Sequence, residues 1–191
     1  MRSDVAGVKN PEGPAESVLL SIRRISRAVD LFSHELARKH SLTVPQLMCL
    51  RIIKAYSSIS PSALAQEVAL SQATVTGILK RLEARALLER RKCLTDRRMV
   101  ECRITREGER MLAGAPLPLQ QNLAQRLSQL SPKEQSNIAE TLEGVVAMME
   151  AAELDVAPIL TSGPIVAEPG EVIEFLNETK PVDSDPIKKE R

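Results

Sequence analysis

The sequence predicts a mainly α chain with one small β-hairpin, and three observations predict it. Apolar residues recur at helical spacing through a long N-terminal stretch and again between Ile138 and Met149. Several apolar runs open with a hydroxyl residue followed closely by proline, the signature of a capped helix start: Thr43 with Pro45, Ser60 with Pro61, Ser131 with Pro132. Between them, Leu87 to Leu94 and Met99 to Thr105 read as two short strands joined by the polar turn Thr95, Asp96, Arg97, Arg98.

Length and composition bound the answer before any motif does. At 191 residues and 43% hydrophobic content the chain can bury one good core. A net charge of +1 names no partner, but the charge is unevenly placed. From Lys80 to Arg106 there are ten basic residues against four acidic ones, a local charge of +6, which fits a nucleic-acid face and equally a solvated charged surface. Trp is absent and Phe32, Tyr56 and Phe175 are the only aromatics, which argues against binding single strands by base stacking. With no N-terminal apolar signal and no run of about 18 apolar residues, the expected location is the cytoplasm, away from membranes. Cys49, Cys93 and Cys102 lack CxxC spacing and nearby histidines, so they read as reduced thiols and neither a metal nor a cofactor is expected.

Taken in order, residues 1–15 contain Gly7, Pro11, Gly13 and Pro14 among polar neighbours and read as a flexible arm. From Glu16 to His40, Val18, Ile22, Ile25, Val29, Phe32 and Leu36 follow one another at spacings of 4, 3, 4, 3 and 4. Such a narrow seam serves a helix on its own core and also the facing helix of a partner. A second helix is expected over Val44 to Tyr56, a short third from Pro61 to Val68, and a fourth from Ser71 to about Arg85. Thr105 caps a fifth helix beginning at Arg106, which Pro116 and Pro118 must break because each lacks a backbone donor and clashes with the preceding turn. It resumes near Leu119. A final helix opens on Ser131, Pro132 and Glu134, a capping box, and carries the stripe Ile138, Leu142, Val145, Met149. Residues 155–191 hold five prolines among acidic and polar residues and read as a largely disordered tail, with Val172, Ile173, Phe175 and Leu176 apolar enough to dock locally.

The informative segment is Pro61 to Ala86, two helices separated by a few residues. Leu64, Val68, Leu70, Val75, Ile78, Leu79 and Leu82 supply the buried contacts, and small Ala65 allows the close approach that a helix-turn-helix needs. Ala69 takes the place of the usual turn glycine. With Val75, Ile78, Leu79 and Leu82 inward, Gln72, Ala73, Thr76, Gly77 and Lys80 face outward, suited to a major groove of double-stranded DNA. Gln72 can pair with adenine, Thr76 can bond a base edge or phosphate, and Ala73 can touch a thymine methyl. Gly77 costs about 1 kcal/mol of helix propensity against alanine, which points to a close approach. Ser71 at the cap, Lys80 and Arg81 are placed for phosphate. For each of these residues alone, plain solvent exposure is as good a reading; the joint spacing is what favours DNA. In the hairpin turn, Arg97 and Arg98 can enter a narrow minor groove, while Asp96 can orient a guanidinium through a bidentate pair.

On these residues the chain resembles the MarR family of bacterial regulators over roughly Glu16 to Leu154. Asp96, Arg97, Arg98, five intervening residues, Ile104 and Thr105 are similar to that family's D-x-R-x(5)-L-T wing, with Ile in place of Leu. Leu70, Ser71, Gln72, Ala73, Thr74, Val75 and Thr76 resemble its recognition-helix start. The resemblance implies a winged helix-turn-helix lobe over 43–105 and dimerisation helices over 16–40 and 106–154. It also implies a homodimer reading a pseudo-palindromic operator, with ligand binding, or thiol oxidation in some members, changing the lobe spacing. Because a dimer covering a promoter excludes polymerase, a repressor relieved by a small-molecule effector is expected. Val18, Ile22, Ile25, Val29, Ile138, Leu142, Val145 and Met149 are the dimerisation candidates. More distantly, the chain resembles members associated with compatible-solute (ectoine) genes. The two prolines after the fifth helix depart from the family's continuous helix.

Three other readings are open to the sequence. A redox sensor would use a cysteine, but Cys93 and Cys102 are expected on one face of the hairpin about 7–8 Å apart, too far for an unstrained bridge, and Cys49 is expected in the core. An enzyme is not expected, because His34 and His40 stand without a carboxylate pair or a nucleophile arrangement. A winged helix that binds only protein would lack the steep salt dependence of DNA binding.

Overall fold

Helix formation starts where a cap and a proline coincide. The computed structural model describes residues 13–92, 100–153, 159–162, 165 and 168–178. Its first helix, α1 (Pro14–His40), begins two residues before Glu16 because Pro14 takes the first helical position after Gly13. It ends at Ser41, which adopts a left-handed conformation and donates its N–H back to Ala37. Helix α2 (Val44–Tyr56) opens with a full capping box: Thr43 N–H donates to Gln46 Oε1 at 3.1 Å while Thr43 Oγ1 accepts from Gln46 N. Helices α3 (Pro61–Glu67) and α4 (Gln72–Ala84) are capped by Ser60 and Ser71.

The seam on α1 divides between the two uses open to it. Leu36 is fully buried in the core and Phe32 packs against it, while Val18 and Ile25 remain 45% and 57% exposed. Around Leu36 the core gathers Leu47, Leu50 and Ile53 of α2, Leu64 of α3, and Val75, Ile78, Leu79 and Leu82 of α4. Ala69, in the turn between α3 and α4, is left-handed at φ 52°. Here alanine stands in a conformation that glycine adopts freely, at a cost of about 1 kcal/mol.

Strands β1 (Leu88–Lys92) and β2 (Val100–Ile104) pair antiparallel, with Leu88 opposite Ile104 and Arg90 opposite Cys102. Ile59 adds a third rung by exchanging both backbone hydrogen bonds with Cys102, at 3.2 and 2.8 Å. This bridge ties the start of the helix-turn-helix to the hairpin, and the short loop before Pro61 carried no strand signal to announce it.

Helix α5 (Arg106–Gly114) stops before Pro116, and α6 (Leu119–Leu127) resumes after Pro118, as the prolines require. Arg51 of α2 holds the break, its guanidinium donating to the carbonyls of Ala115 at 3.2 Å and Pro116 at 3.0 Å. Helix α7 (Pro132–Met148) carries the Ser131–Glu134 capping box. The tail departs from the expected disorder in the part that is described: Pro169–Glu178 forms α8, which lays Val172 and Ile173 against Ala37 of α1. Because apolar residues recur only briefly there, the run promised local docking but not a helix of ten residues.

The base of the hairpin is locked to α5 through one crowded point. Thr105 Oγ1 accepts from Gly108 N at 3.0 Å and donates to the carbonyl of Ala86 at 2.7 Å. A Cβ on Gly108 would lie 2.1 Å from the Leu87 carbonyl oxygen and 2.7 Å from Ile104 Cγ1. Gly108→Ala is therefore expected to push α5 off the hairpin and cost about 1–3 kcal/mol, measured by denaturant unfolding; a wild-type midpoint would show that the contact is not tight.

Candidate nucleic-acid interface

The geometry of α4 follows from which of its side chains are buried. Val75, Ile78, Leu79 and Leu82 are all at most 1% exposed. Gln72, Ala73, Thr76 and Lys80 consequently stand exposed on the opposite side, with Thr74 and Gly77 half-buried at its margins. The expected outward set is thus brought onto one helical face. Two of its hydroxyls are already engaged: Thr76 Oγ1 donates to the Gln72 carbonyl at 2.7 Å, and Thr74 Oγ1 lies 2.8 Å from Ser71 Oγ. Ser71 itself accepts from Thr74 N at 3.1 Å and thereby sets the start of the helix. Thr76 thus offers an acceptor and a methyl group, whereas Gln72 and Lys80 extend from the surface.

Asp96, Arg97 and Arg98, with Cys93, lie outside the described residues. The strands that lead to them are anchored at both ends, by Leu88 in the core and by Thr105 at the helix junction. Much of the local positive charge is matched close at hand. Arg90 Nε donates to Glu83 Oε2 at 2.8 Å, Arg91 pairs with Glu89 at 2.8 Å, and Arg103 with Glu101 at 3.4 Å. The hydrogen bonds from Arg90 hold the Glu83 carboxyl below its ordinary range, so this pair orients β1 on the back of α4. Arg81 is also paired, with Glu168 at 2.6 Å, a partner far along the chain that no local spacing could reveal.

Five of the eight dimerisation candidates lie together on a different surface. Val18, Ile22 and Ile25 of α1 and Leu142 and Val145 of α7 line one apolar groove of about 250 Å³. Ile138, Leu142 and Met149 are 39%, 51% and 60% exposed, and α7 contributes no buried residue at all. Val29, further along α1, is half-buried.

Residues 42–100 match the model of the MarR family. The chain carries a MarR family domain. That stretch contains the whole helix-turn-helix and most of the hairpin. The chain is 23% identical to the homoprotocatechuate degradative operon repressor of Escherichia coli, over 74% of this chain and 95% of the relative. It is 30% identical to the HTH-type transcriptional regulator MgrA of Staphylococcus aureus, over 49% of this chain and 65% of that one. Among solved structures, a MarR mutant from Escherichia coli complexed with operator DNA aligns at 21% identity, covering 68% of this chain and 94% of the other, with a TM-score of 0.48. Residues 42–100 thus match a family of regulators, and both relatives named are regulators of transcription. Among the described residues, no helix is long and apolar enough to cross a membrane.

Cys49 and Cys102, the two thiols among the described residues, sit where a redox switch is hardest to operate. Burial pushes Cys49 up to about 12, with Cys102 beside it adding to the effect, and burial pushes Cys102 up to about 11. A sensor thiol needs the opposite, a depressed pKa and solvent access. In the folded protein at about pH 8, Cys49 and Cys102 are expected to resist iodoacetamide and to be labelled only in denaturant, as read by peptide mass spectrometry. Labelling of either at the rate of a free thiol would show that burial does not protect it.

Proposed function

We propose that this MarR-type regulator binds double-stranded DNA in a sequence-specific manner as a homodimer, and that it is a repressor relieved by a small-molecule effector. The observation that carries the DNA reading is the face of α4. Four inward side chains are fully buried, and the residues left outward, Gln72, Ala73, Thr76 and Lys80, are those that hydrogen-bond bases, touch thymine methyls or meet phosphate. Ser71, Thr74, Gly77 and Arg81 flank that face, and on the wing pattern Arg97 and Arg98 are assigned to the adjoining minor groove, with Asp96 orienting a guanidinium. In this division the lobe over 43–105 reads DNA, while 16–40 and 106–154 join two copies. The repressor sense, its relief by an effector and the compatible-solute association rest on family resemblance, and the cytoplasm is where such a protein works.

The dimer is supported by the exposed apolar surface shared by α1 and α7. Leaving Val18, Ile25, Leu142 and Met149 in water costs roughly 25 cal/mol for each Å² of apolar surface, and a second copy removes that cost. A two-fold pair would place its recognition helices about one helical turn of DNA apart, roughly 34 Å.

Footprinting on the protein's own upstream region tests the whole reading. Gln72→Ala is expected to relax base preference at one position, with a loss of about 1–3 kcal/mol. Arg98→Ala should weaken binding mainly at A/T-rich flanks; wild-type affinity at moderate salt would remove the wing from the interface. Independently, Val145→Glu is expected to yield monomers in sedimentation and to abolish tight operator binding, and a variant that remains dimeric would place the subunit contact elsewhere.

A further inference from the structure

Described residues after α7 pack against the C-terminal half of α1 and reach α4. Ile159 is 4% exposed within the main core. Leu160 N donates to Gln120 Oε1 of α6 at 3.3 Å. Ser162 fastens to α1, its N–H donating to Ser33 Oγ at 3.2 Å and its hydroxyl to Asp30 Oδ1 at 2.5 Å. Further on, α8 buries Val172 against Ala37 of the same helix. From the residue preceding α8, Glu168 Oε1 reaches Arg81 Nε on the recognition helix at 2.6 Å. Residues 159–178 include Glu168, Glu171, Glu174 and Glu178 but no lysine or arginine.

We propose that residues 159–162 together with Glu168 and α8 act as an internal acidic strap that competes with the DNA backbone for Arg81 and restrains α4 relative to α1. The inference rests on the reading of α4 as the DNA-facing helix. A carboxylate on a guanidinium fills the place that a phosphate oxygen would take, in the same charge-assisted geometry. Arg81 and Glu168 are 32% and 45% exposed, so solvent screens the pair and a phosphate can displace the carboxylate. The strap is therefore a brake on binding and not a block. Its anchorage on α1 gives the brake leverage: Val172 and Ser162 hold it at the C-terminal half of that helix, clear of the groove at Val18, Ile22 and Ile25. A dimer can accordingly form with the strap in place.

The test uses the full chain with a duplex carrying its own upstream region and a scrambled duplex, titrated between about 50 and 200 mM salt. Glu168→Gln frees Arg81 for one more phosphate, which steepens the salt dependence by a slope of about 0.9. Its gain in affinity over wild type should then be about 3-fold larger at the lower salt than at the higher, on both duplexes. Val172→Asp, which detaches α8, is expected to act in the same direction. In an Arg81→Ala background, Glu168→Gln should change nothing. If Arg81→Ala weakens binding while Glu168→Gln keeps wild-type affinity and slope, α4 keeps its role and the strap is overturned. If the unmodified chain binds neither duplex, the reading of α4 fails and the strap fails with it.

Discussion

The burial of one strip on α4 is the constraint on which the remaining structure depends. Removing Val75, Ile78, Leu79 and Leu82 from water stabilises the lobe by roughly 6–12 kcal/mol as an upper estimate, similar to the net stability of a whole domain. Among the described residues no polar contact competes with a term of that size. The rotation of α4 about its own axis is thus fixed by hydrophobic packing, and the identity of its outward residues is a consequence. Function is written on the side that folding leaves alone, so Gln72 and Lys80 contribute little to stability and are free to be chosen for what they meet.

The second constraint is electrostatic, and it works by placement more than by excess. A count of charges between Lys80 and Arg106 finds a strongly basic stretch, but several of those cations have acidic partners within reach. Glu83 holds Arg90 and Glu89 holds Arg91, pairs that cross from α4 to β1 or run along the strand. Each is partly exposed and contributes at most about 1 kcal/mol. Their value lies in direction, because a paired guanidinium no longer sweeps through solvent. Lys80, at the end of the outward row, extends from the face that is also populated by Gln72 and Thr76. Positive charge is in this way concentrated where a duplex can approach.

Legibility follows the range of the interactions. The capped starts at Thr43, Ser60, Ser71, Thr105 and Ser131 are local, decided within three residues, and were readable, Ser131 together with its partner Glu134. The break at Pro116 and Pro118 was readable for the same reason, whereas its fastening by Arg51 from α2 was not, being a contact 64 residues distant. Ile59 joined the hairpin without a strand pattern, since one rung needs no alternation. Gly108 could have been suspected: glycine three residues past a cap weakens a helix, and its presence asks for a close neighbour, which proves to be the Leu87 carbonyl. The tail was hardest. Its prolines argued for disorder, and contacts far apart in sequence, among them Ile159 in the core, Ser162 with Ser33, Val172 with Ala37 and Glu168 with Arg81, make order worth its entropy.

Helix α1 is where these constraints meet, and its two halves have opposite surroundings. The C-terminal half is committed: Leu36 enters the core, Ala37 receives α8, and Arg85 from the end of α4 donates to the carbonyl of Ser41 just beyond it. The N-terminal half keeps Val18, Leu19 and Ile25 in solvent beside the equally bare α7. A rigid helix of 27 residues, about 40 Å long, therefore joins the lobe to whatever covers its far end. Any rotation of the lobe about its seat at Leu36 must strain contacts with α8 or with Arg85, since both bridge the lobe to the same helix. In two copies joined through their N-terminal halves, a small angular change at that seat would be carried to the separation of the two α4 helices. In the proposed dimer the fit to duplex DNA would depend on that separation, so contacts at the C-terminal half of α1, away from the outward face of α4, would be in a position to set it.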